Sequence, residues 1–492
     1  MNIIRTGLAA FFTIIFLTGC VSSVSATSTV QDTSTAPVTS IGTVTSIGTE
    51  DSEDASGMEI SEDTPGMAPA WTKDAVIYEV NVRQYSASSS FAAVEERLGE
   101  LWDMGINTLW FMPIFPISKT NRSGSLGSYY SVDDYCAVNP EFGTFEDFKR
   151  LTDHAHQMGL HIVLDWVANH TGWDNAWISE HPDWYTQKDG KIISPEGMGW
   201  PDVADLNYDN PDMRRAMIES MAFWVNECDI DGFRCDYAVG VPADFWAEAR
   251  QELEKIKPLF FLEEDLGGQN TALPEKAFDC NYAAKFYETL VSVSHDKSPD
   301  KLKLYLQKLP ENDFAMFYLD NHDVNSYDRT LLEGFSKDNL PAMFGVIFTM
   351  PGMPMIYSGN EIGYNRSIAF MEKDPIRWSE GTGDYSSLIG ILSEIKKAHP
   401  ALYAGRFGGS MEYLDFGNKN IFAYRRQLGS DSVICVFNLS KRLQENVDWT
   451  GTGLALQADV LLSGCSGSWN EYAGNVSMPD TLQPWEFFII RE

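Results

Sequence analysis

Basic residues are scarce in this sequence: 36 Lys and Arg stand against 70 Asp and Glu, a formal net charge of −34 over 492 residues. So acidic a chain is repelled by nucleic-acid phosphates and anionic lipid surfaces, which excludes both as electrostatic partners. It does not by itself imply a cationic substrate, since acidic surface mostly serves solubility. Long apolar runs are lacking too. The run near the start, Leu8 to Leu17, is too short to span a bilayer. The cysteines include no C-x-x-C pair and no zinc-type spacing, which removes the redox and zinc-site readings. No Gly-rich phosphate loop follows the first apolar strand candidate, which counts against a nucleotide-binding open sheet. Disorder is excluded by 44% hydrophobic and 13% aromatic residues. The length suffices for a large core and two or three domains.

What is present begins with a targeting segment, residues 1–20. Arg5 precedes the apolar run, which ends Leu17-Thr18-Gly19-Cys20. That ending resembles the lipobox of bacterial lipoproteins and implies lipidation at Cys20, with a membrane held through the lipid. An ordinary secretory signal with an incidental cysteine is the other reading. Both export the chain, to the cell surface or the periplasmic face of a membrane. Residues 21–70 are rich in Ser, Thr, Val and Gly and then acidic from Glu50 to Asp63, a low-complexity linker reaching on the order of 40 Å. The six cysteines beyond it fit either disulfides or buried free thiols.

From Trp71 short apolar runs alternate with amphipathic segments. Strands are expected at Ala75–Val82, Ile106–Met112, His161–Trp166, Gly232–Asp236, Leu259–Glu264, Ala277–Tyr282, Phe314–Leu319 and Met353–Tyr357. One helix is expected over Phe91–Met104, with Phe91, Val94, Leu98 and Leu101 on one face. Another starts at Thr144, where Thr144 and Asp147 fit a capping pattern. Strand–helix units repeated through residues 71–400 suggest a (β/α)8 barrel, with a doubly wound sheet as the alternative. Residues 401–492 read as short alternating strands, among them Ile421–Arg425 and Ser432–Asn438.

Polar groups collect where the apolar strands stop. The third strand closes on Asp165-Trp166-Val167-Ala168-Asn169-His170, and the fourth on Arg234 and Asp236. The fifth closes on Glu263-Glu264-Asp265 and the seventh on Asn321-His322-Asp323. Carboxyls at the ends of apolar strands cost desolvation unless they are used or paired. Each alone fits a structural cap or ion pair. Together, at the end of a barrel that carries chemistry, they describe a site rich in carboxylates and imidazoles. Glycoside hydrolysis needs one ionised carboxylate and one that keeps a proton. Asp236, two residues from the Arg234 guanidinium, suits the first role and Glu264 the second. Glu263 is the rival acid, but strand alternation turns it toward the helix layer.

These stretches resemble the four signature segments of the α-amylase family of glycoside hydrolases. They are Asp165-x-Val-x-Asn169-His170, Gly232-Phe233-Arg234-x-Asp236, Glu264 after its apolar strand, and Asn321-His322-Asp323. Gly352 to Glu361 and Tyr130 to Tyr135 add to the likeness, which covers roughly residues 71–492. The resemblance implies a (β/α)8 TIM barrel, a small domain inserted after the third strand at about 171–210, and a C-terminal antiparallel β-sandwich. It implies Asp236 as nucleophile, Glu264 as acid/base and Asp323 as the aspartate stabilising the transition state. Arg234, His170, His322 and Tyr130 match positions lining the sugar before the scissile bond, with Asp165 behind them. Asn169 and Asp205 match positions that ligate a structural Ca2+ in many members. Val239 and Gly240 depart from the Lys-His found in many starch-cleaving members. Trp173, Trp177 and Trp200 are candidate sugar platforms, and Trp184 reads as core. The implied activity is retaining hydrolysis of α-glucans such as starch or maltooligosaccharides. A transglycosylase or α-glucosidase on short maltooligosaccharides, and a non-catalytic glycan-binding lipoprotein, are the alternatives. No feature of the sequence sets the oligomeric state.

Overall fold

The computed structural model describes residues 67–492 except 268–272, 274–276, 307–314, 454–456 and 472–474. The expected targeting segment, the lipid-attachment candidate Cys20 and nearly all of the expected linker lie outside the described residues. Eight strands close into a parallel barrel: Ile77–Val80, Thr108–Phe111, His161–Trp166, Gly232–Cys235, Phe260–Glu263, Cys280–Tyr282, Ala315–Tyr318 and Gly352–Tyr357. Each pairs with its sequence neighbours, and the first meets the eighth in register Ile77↔Met355. All eight fall inside or within one residue of the expected runs. Such strands are buried on both faces, which is why they read as unbroken apolar segments.

Alternation sorts the side chains between the barrel interior and the helix layer. Phe233 meets Trp166 (5.6 Å) and Phe261 (5.8 Å) on the helix side, so Arg234 points inward. At the N-terminal end Trp71 closes the barrel, stacked on His161 at 4.1 Å and edge-on to Phe260 at 5.8 Å. Ala68, inside the expected linker, is buried, and its carbonyl accepts from Arg406 Nη2 at 2.7 Å.

Helix Phe145–Gln157 starts with the expected capping box. Asp147 N donates to Thr144 Oγ1 (3.2 Å), and Thr144 N donates to Asp147 Oδ2 (2.9 Å). The segment expected as one helix from Phe91 is two, Phe91–Glu95 and Leu98–Asp103. The break falls beside Arg97, whose guanidinium lies 3.7 Å over the Trp378 ring. The four apolar residues assigned to one face are all buried despite the break.

Between the third strand and helix Pro211–Cys228, His170–Gly172 pairs with Val203–Asp205, and a small hairpin joins Gln187–Lys188 to Lys191–Ile192. The C-terminal region is a seven-stranded antiparallel sheet, and a two-stranded pair, Gln444–Glu445 with Thr481–Leu482, lies beside it. Phe437 and Phe487 pack against the barrel helix Leu340–Thr349 at Gly345, where a Cβ would stand 3.0 Å from the Phe437 ring. The six cysteines among the described residues are free thiols, four of them buried.

Candidate active site

Arg234 is the hub of the C-terminal end of the barrel. Its guanidinium is fully buried, and Nη1 donates to Asp165 Oδ1 (2.9 Å) and to Asp236 Oδ1 (2.8 Å). Nη2 stands 2.8 Å from Glu264 Oε1, and Nε donates to Tyr282 Oη at 3.1 Å. One cation therefore serves three carboxyl groups from three adjacent strands. The backbone sets this up: Asp236 N donates to Trp166 O (3.0 Å) and Glu264 N to Cys235 O (3.1 Å), so each residue continues its strand by one ladder bond. Asp236 and Glu264 are the carboxyls that remain open to the cleft, 14% and 13% exposed, whereas Asp165 is sealed.

Burial dominates the titration of all three. It pushes Glu264 up to about 7, against the opposing pull of Arg234. Asp165 is pushed up to about 7 by burial as well, again against Arg234. Asp236 is raised by burial, against the opposing charge and hydrogen bond of Arg234. Burial favours a held proton on Glu264, while Asp236 keeps a direct hydrogen bond from Arg234 Nη1 that favours its ionised form.

A second chain of polar contacts runs behind them. His322 Nδ1 donates to Glu79 Oε1 (2.5 Å), and His322 Nε2 meets Tyr130 Oη (2.9 Å). Tyr130 Oη in turn donates to Asp165 Oδ2 (3.2 Å). Burial works to lower His322, but the charges of Asp323 and Glu79 outweigh it and lift the imidazole to about 9. Asp323 Oδ2 is 3.3 Å from His322 Nε2, on a side chain 40% exposed. The Tyr130 ring lies 5.7 Å from the His322 ring and 6.2 Å from the Phe370 ring, and those two are 6.1 Å apart, so the three rings form one aromatic cluster. Burial pulls His170 down to about 4, so it is a neutral imidazole.

Residues 89–387 match the family model described as the α-amylase catalytic domain. The chain belongs to the α-amylase family. It is 27% identical over 402 residues to the α-amylase MalA of Haloarcula japonica, covering 78% of this chain and 58% of that one. It is 27% identical over 450 residues to α-amylase 3 of Dictyoglomus thermophilum, covering 76% and 87% respectively. The crystal structure of an α-amylase from Lactobacillus plantarum superposes with a TM-score of 0.71 at 28% identity, over 85% of this chain and 99% of that one.

In this α-amylase family member Asp165, Arg234, Asp236, Glu264, His322, Asp323 and Tyr130 converge on one cleft. Glu263 is turned away: it shares parity with Phe261, which lies under Arg250 of helix Ala243–Leu253 at 5.3 Å. Asn169 and Asp205 come together through the backbone, since Leu206 N donates to Asn169 O (3.2 Å) and His170 pairs with Asp205. Their donors are oxygens of the kind calcium takes, with an amide and a carboxyl to offer. Among the described residues no cluster of three or more His, Cys, Asp or Glu side chains could hold a metal ion.

Of the four tryptophans in the excursion, Trp177 and Trp184 pack on each other at 5.1 Å and Trp173 donates to Pro201 O. Trp200 lies against a site residue, its ring 5.5 Å from that of His170. Sequence reasoning missed Glu79, Tyr282, Phe370, Tyr237 and Trp110, whose Nε1 donates to Asp165 Oδ2 at 3.2 Å. Glu79 carried a signal, a carboxylate inside the apolar run Ile77-Tyr78-Glu79-Val80. The aromatic residues carried none.

Proposed function

We propose that this chain is a retaining α-glycoside hydrolase acting on α-glucans such as starch or maltooligosaccharides. One observation carries the reading: Asp236 and Glu264 are gripped 2.8 Å from the two terminal nitrogens of a single guanidinium, with Glu264 lifted to about 7. Two carboxyls held so close suit the retaining spacing of about 5–5.5 Å rather than the wider inverting one. Asp236 Oδ attacks the anomeric carbon while Glu264 gives its proton to the departing glycosidic oxygen. The aglycone leaves with that proton. Water then adds to the anomeric carbon, the ester bond to Asp236 breaks, and Glu264 takes the proton back. Asp323 stabilises the positive charge that develops on the sugar, and Tyr130 stacks on its ring. His170 and the His322 imidazolium hold its hydroxyls. Asp165 and Glu79 act through Arg234 and His322.

In the same reading Asn169 and Asp205 are the residues that would hold a calcium ion. There it would tie the excursion to the end of the third strand and supply no chemistry to the reaction. It also includes export and attachment through a lipid on Cys20. Product analysis on starch, pullulan and maltoheptaose, with the first anomer read by NMR, tests the activity. An α-anomer from the α-1,4 substrates is expected, and a β-anomer would overturn the mechanism.

A further inference from the structure

Tyr237 follows the proposed nucleophile directly, and its backbone is left-handed at φ 41°, ψ 50°. Bulky residues seldom enter that region, and where they do the surroundings dictate it, often beside functional atoms. Two consequences follow from the turn. The Tyr237 N–H is aimed at Glu264 Oε2, 2.8 Å away. The ring is thrown across residue 240, where a Cβ would lie 2.4 Å from Tyr237 Cε1 and 2.4 Å from Asn169 Oδ1. Position 240 is thus glycine because the Tyr237 ring and Asn169 occupy the space of any side chain there.

The ring does not stand alone. Trp200, from the excursion after the third strand, meets it edge-on at 5.4 Å and 85°, and the Tyr237 hydroxyl reaches Met198 Sδ at 3.7 Å. Trp200 and Tyr237 are both half-buried, so neither is sealed from solvent. Two separate segments therefore build one aromatic corner, joined through Tyr237 N to the carboxyl that protonates the leaving oxygen. The other wall, Tyr130 with His322 and Phe370, belongs to the sugar that Asp236 attacks.

The geometry points to Tyr237 and Trp200 as a stacking subsite for the glucosyl unit on the leaving-group side, and for a sugar that returns there as acceptor. A pyranose presents apolar C–H faces to aromatic rings, and such packing needs no cationic partner. This rests on the hydrolase reading above. In the return step an acceptor hydroxyl oxygen bonds to the anomeric carbon, the bond to Asp236 Oδ breaks, and the hydroxyl proton passes to Glu264. The corner gives sugar an advantage over water in that competition.

The test uses the full chain with α-maltosyl fluoride as donor and maltose as acceptor. Fluoride release and the ratio of transfer to hydrolysis products are read together. In Trp200→Ala and in Tyr237→Asn, which tolerates the left-handed backbone, the ratio should fall about tenfold. In Tyr237→Phe, which keeps the ring face, it should stay within about twofold of wild type. A ratio unmoved in Trp200→Ala, or a wild type that maltose never diverts from hydrolysis, would overturn the subsite while leaving the hydrolase reading intact. Loss in Tyr237→Phe equal to that in Tyr237→Asn would assign the effect to the hydroxyl and overturn stacking. A wild type releasing no fluoride would instead overturn the hydrolase reading itself.

Discussion

The stretch Asp231-Gly232-Phe233-Arg234-Cys235-Asp236 carries one aspartate at each end of the same barrel strand, and the two ends are built to opposite rules. At the N-terminal end Asp231 is surrounded by a lysine and two imidazoles. His156 Nε2 is 2.9 Å away, Lys257 Nζ 3.0 Å and His161 Nδ1 3.6 Å. Burial alone would raise Asp231, but those hydrogen bonds and charges hold it far below the usual carboxylate range. At the C-terminal end Arg234 and His322 are the cations among Glu79, Asp165, Asp236, Glu264 and Asp323, and burial raises Asp165, Asp236 and Glu264. A cluster that satisfies its charges stabilises the fold. One that starves its carboxyls of cations stores proton affinity for chemistry at the cost of stability.

Mutations at the two ends should therefore separate activity from stability. The largest effect is expected for Asp236→Asn, which removes the attacking charge: kcat should drop at least about 10^4-fold. Its melting temperature should not fall, because a crowded carboxylate has been neutralised. Activity within tenfold of wild type would place the nucleophile elsewhere.

Glu264→Gln comes next. The kcat/KM for maltoheptaose should fall about 10^2- to 10^4-fold, whereas kcat/KM for α-maltosyl fluoride, whose leaving group needs little protonation, should fall far less. The same variant should lose the alkaline limb of the pH–rate profile, which in wild type descends above about pH 7 as Glu264 gives up its proton. Glu263→Gln should treat both donors alike.

Asp231→Asn is the mirror case. It removes the carboxylate that His156, His161 and Lys257 share, leaving Lys257 with Asp229 alone, and should cost about 2–3 kcal/mol in denaturant unfolding, with kcat measured at low temperature close to wild type. A fall in kcat without loss of stability would erase the contrast between the ends.

The smallest effect is the pH dependence of stability, which should have opposite sign at the two ends. Asp231 has a lowered folded pKa, so its contribution is present above the ordinary carboxylate pKa and fades as pH falls through the folded value. Glu264 has a raised one, so its contribution is full below 4.5 and is lost as pH climbs toward about 7. The melting-temperature advantage of Glu264→Gln over wild type should accordingly widen between those limits.

Much of this was legible in the sequence because a parallel barrel strand is buried on both faces and stops abruptly at polar groups. That is why Leu259-Phe260-Phe261-Leu262 followed by Glu263-Glu264 located both a strand and a site. Edges were blurred where burial continues without pairing: Ala277 and Phe278 are buried, yet the sixth strand begins at Cys280. The helix break at Arg97 was hidden because helical spacing of apolar residues survives a turn. Glu79 was visible as an oddity but its partner His322 lies 243 residues away, and nothing local joins them. The left-handed turn at Tyr237 was illegible because tyrosine gives no hint of positive φ. Gly240, the residue that permits it, read only as a departure from the Lys-His of relatives.

Peptide mapping of Glu264→Gln after reaction with α-maltosyl fluoride tests the central claim most directly. Without its acid/base the variant should accumulate the glycosyl-enzyme, and mass spectrometry should place one maltosyl group on the peptide containing Asp236. An adduct on a peptide containing Asp165 or Asp323, or turnover with no adduct and a β-anomeric product, would contradict it.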